Sequence, residues 1–308
     1  MNANRAAALR AVMLSCALGC SATAAPVVVL VESGASMYQR AAQGFQERFG
    51  DPGQLEVFHL SGDSREFSDR LAPLRNNSPR LVVALGTQVA RVAKEQLPGI
   101  PLLYCLALSP LQNGLSGLDI GGVALEVRLP QQIAAIQRAL PQVRRIGVVY
   151  DEPASGRLVR QARQLLKGQV ELVARDARSP REAAQAIQQL QGKVDAFWLL
   201  WDPVVLNPAN FRVLVDFSLK NKVKLIAPAP AFVETGALLS VAADPFKAGR
   251  QAGEMARQIL DGKVRAGSFA AVSPEDLVLT INGEVARRLG VTFPPNLPAE
   301  ILAPRDER

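Results

Sequence analysis

The spacing of apolar positions changes several times along this chain, and each change marks an element. Val27 to Val31 is an unbroken apolar run, as in a strand covered on both faces, whereas Met37 to Phe49 repeats its apolar residues at helical spacing. Leu55 to Leu60 alternates as a strand, and Arg65 to Leu74 returns to the helical period. Leu81 to Leu85 is a further strand, followed by Gly86-Thr87 and a helix through Lys94, and Ile100 to Leu106 is again extended. After Gly121-Gly122-Val123 the cycle restarts, with no strand assigned between Leu106 and the next helix. Helices are expected over Pro130 to Leu140, Gly156 to Leu166, Pro180 to Gln191 and Pro208 to Asn221. They are interleaved with strands at Arg145 to Tyr150, Val170 to Ala174, Ala196 to Leu200 and Lys224 to Ile226. Ala237 to Ala243 is a last buried strand, apolar but for Ser240, and runs into a helix that Pro245 opens and Asp244 can N-cap. Gly249 and Gly253 are spaced to let that helix lie close to a neighbour.

Repetition of βαβα units predicts parallel sheets with helices on both faces, and the restart predicts two doubly wound, Rossmann-like lobes of similar size. In such sheets ligands bind beyond the carboxyl ends of the strands, where helix N-termini present backbone amides that favour anions. The first lobe's rim then offers Ser33 and Ser36 after the first strand, Thr87 and Gln88 after the third, and Ser109 after the fourth. The second offers Tyr150, Asp151, Trp201 and Asp202, with Asp244 at the strand-helix junction. A bound amino acid needs an anion site for its carboxylate and an acidic group for its ammonium, which Asp202 and Asp244 can supply. Trp201 or Tyr150 can face its side chain. Ser36, Thr87, Asp151, Asp202 and Asp244 also suit plain helix caps, so both readings stand at this point.

Particular stretches carry a resemblance. Gly236-Ala237-Leu238, Asp244 and the run Ala248-Gly249-Arg250-Gln251-Ala252-Gly253-Glu254-Met255-Ala256, with Val82 to Ala90 and the tail Leu277 to Leu297, are similar to the ABC-transporter substrate-binding proteins of the type that includes tryptophan and other aromatic amino-acid binders. The resemblance implies the type I periplasmic-binding fold: two lobes joined by three crossovers, here near Gly122, Asp244 and Val272. Residues 25–122 and 245–272 would form the N-terminal lobe, and residues 123–244 and 273–308 the C-terminal lobe. It further implies a periplasmic protein that holds a small-molecule ligand and delivers it to ABC permease subunits; a sensory module docking on a receptor or histidine kinase would use the same cleft. Two similar lobes without a flexible linker suggest a monomer that closes by hinge rotation, and the lack of a paired nucleophile and base suggests a protein without chemical turnover. The chain departs from the family's wording at Ser109-Pro110, at Trp201-Asp202-Pro203 and at Phe246, which leaves the ligand class open.

The ends and the composition agree with secretion. Arg5 and Arg10 precede an apolar run from Ala11 to Gly19, and Ala22-Thr23-Ala24 offers a cleavage site, so residues 1–24 read as a signal peptide. Ala17-Leu18-Gly19-Cys20 also resembles a lipoprotein box, which would lipidate Cys20. Removal of the signal leaves Cys105 as the sole cysteine, in an apolar run that suits a core residue. The net charge of +7 is scattered over helix faces and only 5% of residues are aromatic, so no phosphate-tracking or base-stacking surface is visible and no nucleic-acid partner is implied. No cofactor motif appears, and one histidine, His59, with one retained cysteine cannot build a nitrogen- and sulfur-ligated metal site. Gly62-Asp63-Ser64 looks like the start of a hydrolase motif, but the lone His59 lies a few residues upstream in the same strand, too close to serve as its base.

Overall fold

The computed structural model describes residues 27–50, 55–60 and 64–302. The signal segment, Cys20 and the Gly62-Asp63 pair lie outside them. The first lobe is built from β1 (Val27–Glu32), α1 (Ser36–Phe49), β2 (Leu55–Leu60), α2 (Ser64–Asn77), β3 (Leu81–Leu85), α3 (Thr87–Gln96), β4 (Leu102–Ala107) and β5 (Ile120–Ala124). Its five strands are parallel, in the order β2-β1-β3-β4-β5.

The second lobe follows with α4 (Leu129–Ala139), β6 (Arg145–Tyr150), α5 (Glu152–Leu166), β7 (Glu171–Asp176), α6 (Pro180–Gln188), β8 (Ala196–Trp198), α7 (Pro208–Asn221), β9 (Lys224–Ala227), α8 (Pro230–Glu234) and β10 (Leu239–Ala243). The chain continues with α9 (Pro245–Leu260), a 3-10 turn at Ala266–Phe269, β11 (Leu277–Asn282), α10 (Gly283–Leu289) and β12 (Glu300–Leu302). The second sheet runs β12-β11-β10-β9-β8-β6-β7, with β11 antiparallel to β10. Counted from β6, its first five strands repeat the order of the first sheet.

The unbroken apolar strands follow from burial on both faces. Val27, Val29 and Val31 pack with α1 and α9, while Val28 and Leu30 pack with α2 and α3. In the second lobe Ile146 and Val148 face the α4, α5 and α10 side, and Val149 faces α6 and α7. Pro153 suits the first turn of a helix, so α5 begins at Glu152, four residues ahead of the sequence expectation.

Strand β5 is the main element missed by pattern reading, because Gly121-Gly122 looks like a turn. The pair serves close approach instead. A Cβ on Gly121 would sit 2.0 Å from the Ala266 carbonyl oxygen, and one on Gly122 would sit 1.9 Å from that of Tyr104.

Three crossovers join the lobes: after β5, between β10 and α9, and between the 3-10 turn and β11. They are tied to one another, since Ala124 N donates to Val272 O at 2.7 Å, Val272 N to Gly122 O at 3.0 Å, and Asp244 N to Asp276 O at 3.2 Å. Although β10 belongs to the second sheet, α9 packs along α1. The approach is backbone to backbone: a Cβ on Gly249 would meet Ala41 O at 2.0 Å and one on Gly44 would meet Phe246 O at 1.9 Å. The small residues of the Ala248–Ala256 run are the reason this helix lies so close to its partner. Arg257 seals the seam by donating from Nε (3.2 Å) and Nη2 (3.1 Å) to Phe49 O at the end of α1.

Candidate ligand-binding cleft

With this strand order the connections reverse direction between β1 and β3, and again between β6 and β8, and those switch points are where a doubly wound sheet opens a crevice. In both lobes the chain fills the crevice with its own carboxylate. Glu32, at the end of β1, accepts from Gln88 N at 3.1 Å and from the Val89 amide, so the α3 N-terminus that Thr87 and Gln88 were expected to offer to a ligand already holds an anion. Burial raises the Glu32 pKa, and the two amide bonds only partly offset it. Tyr38, partly buried beside Glu32 and Cys105, is pushed up to about 12, first by burial and then by the negative charge of Glu32. The thiol of Cys105 is likewise pushed up to about 12 by complete burial, as suits an inert core residue.

The Thr87 hydroxyl accepts from Leu108 N at 2.9 Å and so anchors the loop after β4. Ser33 and Ser36 are exposed; Ser33 N donates to Leu60 O, and Ser36 is the first residue of α1 behind an Ala35 cap.

The second switch point is closed by Asp202, which is 1% exposed. Its Oδ2 accepts from Asp151 N at 2.9 Å and Ser155 Oγ at 2.7 Å, and its Oδ1 from Val204 N at 3.0 Å and Val205 N at 3.1 Å. A carboxylate offers about four acceptor sites, so none remains for an ammonium group. Asp151 is the N-cap of α5 and makes no side-chain cap bond. Tyr150 is partly buried and bonded to Glu152; burial first, then Glu152, raises its pKa. Asp244 caps α9, its Oδ1 accepting from Lys247 N at 3.1 Å as the sequence suggested, while Lys247 Nζ reaches Asp276 Oδ1 at 2.9 Å.

A cavity of about 340 Å³ lies between the lobes, against the second switch point, whose flanking residues Ala154, Ser155, Trp201 and Pro203 line it. Ser109 and Gln112 come from the first lobe, Leu125, Glu126 and Val127 from the first crossover, and the remaining wall from α4, α5, the Leu199–Pro203 loop, Pro228 and β10. Of the ten candidates, Ser109 and Trp201 line it. Ser33, Ser36, Thr87, Gln88, Tyr150, Asp151, Asp202 and Asp244 do not; Asp202 supports it from behind by fixing Ser155, which does. Trp201 stands edge-on to Phe232 at 6.1 Å, and Phe232 lines a separate apolar groove of about 660 Å³ between α7 and α8, within the second lobe.

Glu126 and Arg157 also line the cavity, and neither was among the sequence candidates. The unusual state belongs to Glu126. Its Oε1 accepts from Ser109 N at 2.8 Å and Ser109 Oγ at 2.7 Å, and its Oε2 is buried with no hydrogen-bond partner among the described residues. One signal was present: an acidic residue inside the apolar run Val123-Ala124-Leu125-Glu126-Val127, at the point where the lobe pattern restarts.

Two doubly wound lobes, three mutually tied crossovers and a cleft walled by both lobes define a bilobal solute-binding protein of the type I periplasmic-binding fold. Residues 26–302 match the family model described as ABC transporter substrate binding protein, and the chain belongs to that family. A tyrosine-binding protein from Clostridioides difficile (strain R20291) is 24% identical over 267 residues, covering 81% of this chain and 76% of the relative. Among solved structures, the ligand-free, open form of a substrate-binding protein with adhesive properties from Clostridium difficile superposes with a TM-score of 0.71 at 21% identity, covering 90% of this chain and 99% of the other. An ABC domain from Streptococcus pneumonia in complex with L-Trp superposes with a TM-score of 0.63 at 23% identity, with the same coverage. Among the described residues no helix is long and apolar enough to cross a membrane, and no group of three or more His, Cys, Asp or Glu is placed to hold a metal ion.

Proposed function

We propose that this protein captures an amino acid or a closely similar small polar molecule between its two lobes, outside the cytoplasm, and delivers it to the permease of an ABC importer. The observation that carries this reading is the interlobe cavity, lined by residues of both lobes and of the first crossover. Its volume is at the small end of ligand sites, and it combines apolar wall residues with a few polar groups, the usual composition of a selective pocket. Family membership supports delivery to an importer, and the tyrosine and tryptophan in the names of relatives support an amino acid.

In this reading residues 25–122 with 245–272 move as one body against residues 123–244 with 273–308. The three short crossovers absorb the rotation as the lobes close. Ser109 and Trp201, on opposite lobes, approach one another around the ligand, and the protein acts as a monomer without chemical turnover.

A thermal-shift screen against amino acids, small carboxylates, nucleosides and vitamins tests the ligand class. A ligand at a hundredfold its Kd stabilises the folded state by about 2.7 kcal/mol, which raises the melting temperature by several degrees. Small-angle scattering with the best amino acid should then show a smaller radius of gyration. No shift with any amino acid would overturn the ligand reading, and tight binding without compaction would overturn the closure.

A further inference from the structure

Resting on the reading that the cleft takes an amino acid, we infer that Glu126 receives the ligand's ammonium group and Arg157 its carboxylate, so that the cleft selects zwitterions over singly charged analogues. Glu126 and Arg157 are the two ionisable side chains among the residues lining the cavity, one acid and one base. Glu126 sits on the crossover and Arg157 near the start of α5 in the second lobe.

The state of Glu126 sets it apart from the other acids nearby. Asp202 has its acceptor sites filled and Asp244 caps a helix, whereas Glu126 has one oxygen held and the other buried with no partner among the described residues. A carboxylate oxygen cut off from water and left unpaired is costly, and a cationic N–H donor is the group that compensates it best. Ser109 prepares the arrangement. Its backbone N–H and its hydroxyl both grip Oε1, which fixes the carboxylate plane and leaves Oε2 as the open acceptor. Ser109 does this from a left-handed backbone conformation, with φ of 41°, that a serine adopts at an energetic cost. It is a positioning residue in this scheme.

Calorimetry on the mature chain with three related probes tests the assignment: L-tyrosine, tyramine (ammonium only) and 3-(4-hydroxyphenyl)propionate (carboxylate only). If another amino acid gives the larger thermal shift, that amino acid with its decarboxylated and deaminated analogues takes their place. Glu126→Gln should weaken the amino acid and the amine about ten- to a hundredfold and leave the deaminated acid unchanged. Arg157→Gln should do the reverse, weakening the amino acid and the deaminated acid while sparing the amine.

Should Glu126→Gln lower the melting temperature markedly, Ser109→Ala, which keeps the carboxylate but removes one of its two anchors, should still weaken the amine selectively. Wild-type affinity of Glu126→Gln for the amino acid, or an equal loss for all three probes, would overturn the assignment and leave the proposed function standing. If the wild-type protein binds no amino acid at all, the proposed function fails and this assignment fails with it.

Discussion

The switch points and the first crossover both place carboxylates where a ligand could meet them, and they treat those carboxylates in opposite ways. At the switch points Glu32 and Asp202 turn back onto the chain's own amides and hydroxyls, Asp202 with four bonds. At the crossover Glu126 is gripped on one oxygen and left unpaired on the other. Position beyond a strand end is therefore not enough to make an acid a ligand contact; what matters is whether its acceptors are already in use. A doubly wound sheet supplies anion sites at helix N-termini, and in this chain Glu32 occupies the one at α3 while Asp202 is held by Asp151 N, Ser155 Oγ and the Val204 and Val205 amides. In the proposed assignment recognition falls to Glu126 at the seam between lobes, where a ligand would also link the two bodies.

The sharpest way to break this contrast is Asp202→Ala. Removing a buried carboxylate strands four donors at the α5 N-terminus and in the Val204–Val205 turn, and should cost about 3 kcal/mol or more in urea unfolding. A loss below about 1 kcal/mol would mean that the switch point is not closed by this side chain.

Asp195 adds a third carboxylate to those bonded within the chain. Asp195 is partly buried, which alone would raise its pKa, but the Arg145 ion pair at 2.9 Å and the Arg144 and Arg145 amides outweigh that and hold it below the usual carboxylate value. Because the folded pKa lies below the unfolded one, the stabilisation is fully present above the ordinary aspartate value near 4 and is lost as pH falls through the lower folded value. Asp195→Asn should therefore cost about 1 kcal/mol at neutral pH, and the gap from wild type should shrink as unfolding is measured at progressively lower pH. A gap that stays constant into strong acid would show that the charge is not what stabilises.

The smallest effect is expected at Asp244. Asparagine caps helices about as well as aspartate, so Asp244→Asn should change stability by less than about 0.5 kcal/mol and ligand affinity by less than about threefold. A loss of tenfold or more in affinity for an amino acid, at unchanged melting temperature, would make Asp244 a ligand contact despite its capping bond.

Local pattern carried much of this protein. Fully apolar runs such as Val27 to Val31 announced strands covered on both faces, Asp244-Pro245 announced a capped helix start, and Gly249 with Gly253 announced a close helix neighbour, because burial, capping and steric room are set by residue type and short-range spacing. Tertiary structure decided the rest. That the neighbour of α9 is α1 of the other lobe, that Gly121-Gly122 is a strand pressed between Tyr104 and Ala266, and that Glu32 and Asp202 spend their acceptors internally while Glu126 does not, all depend on contacts between segments far apart in the chain. An acidic side chain looks the same in a sequence whether its oxygens are filled or empty; only the donors that folding brings to it make the difference.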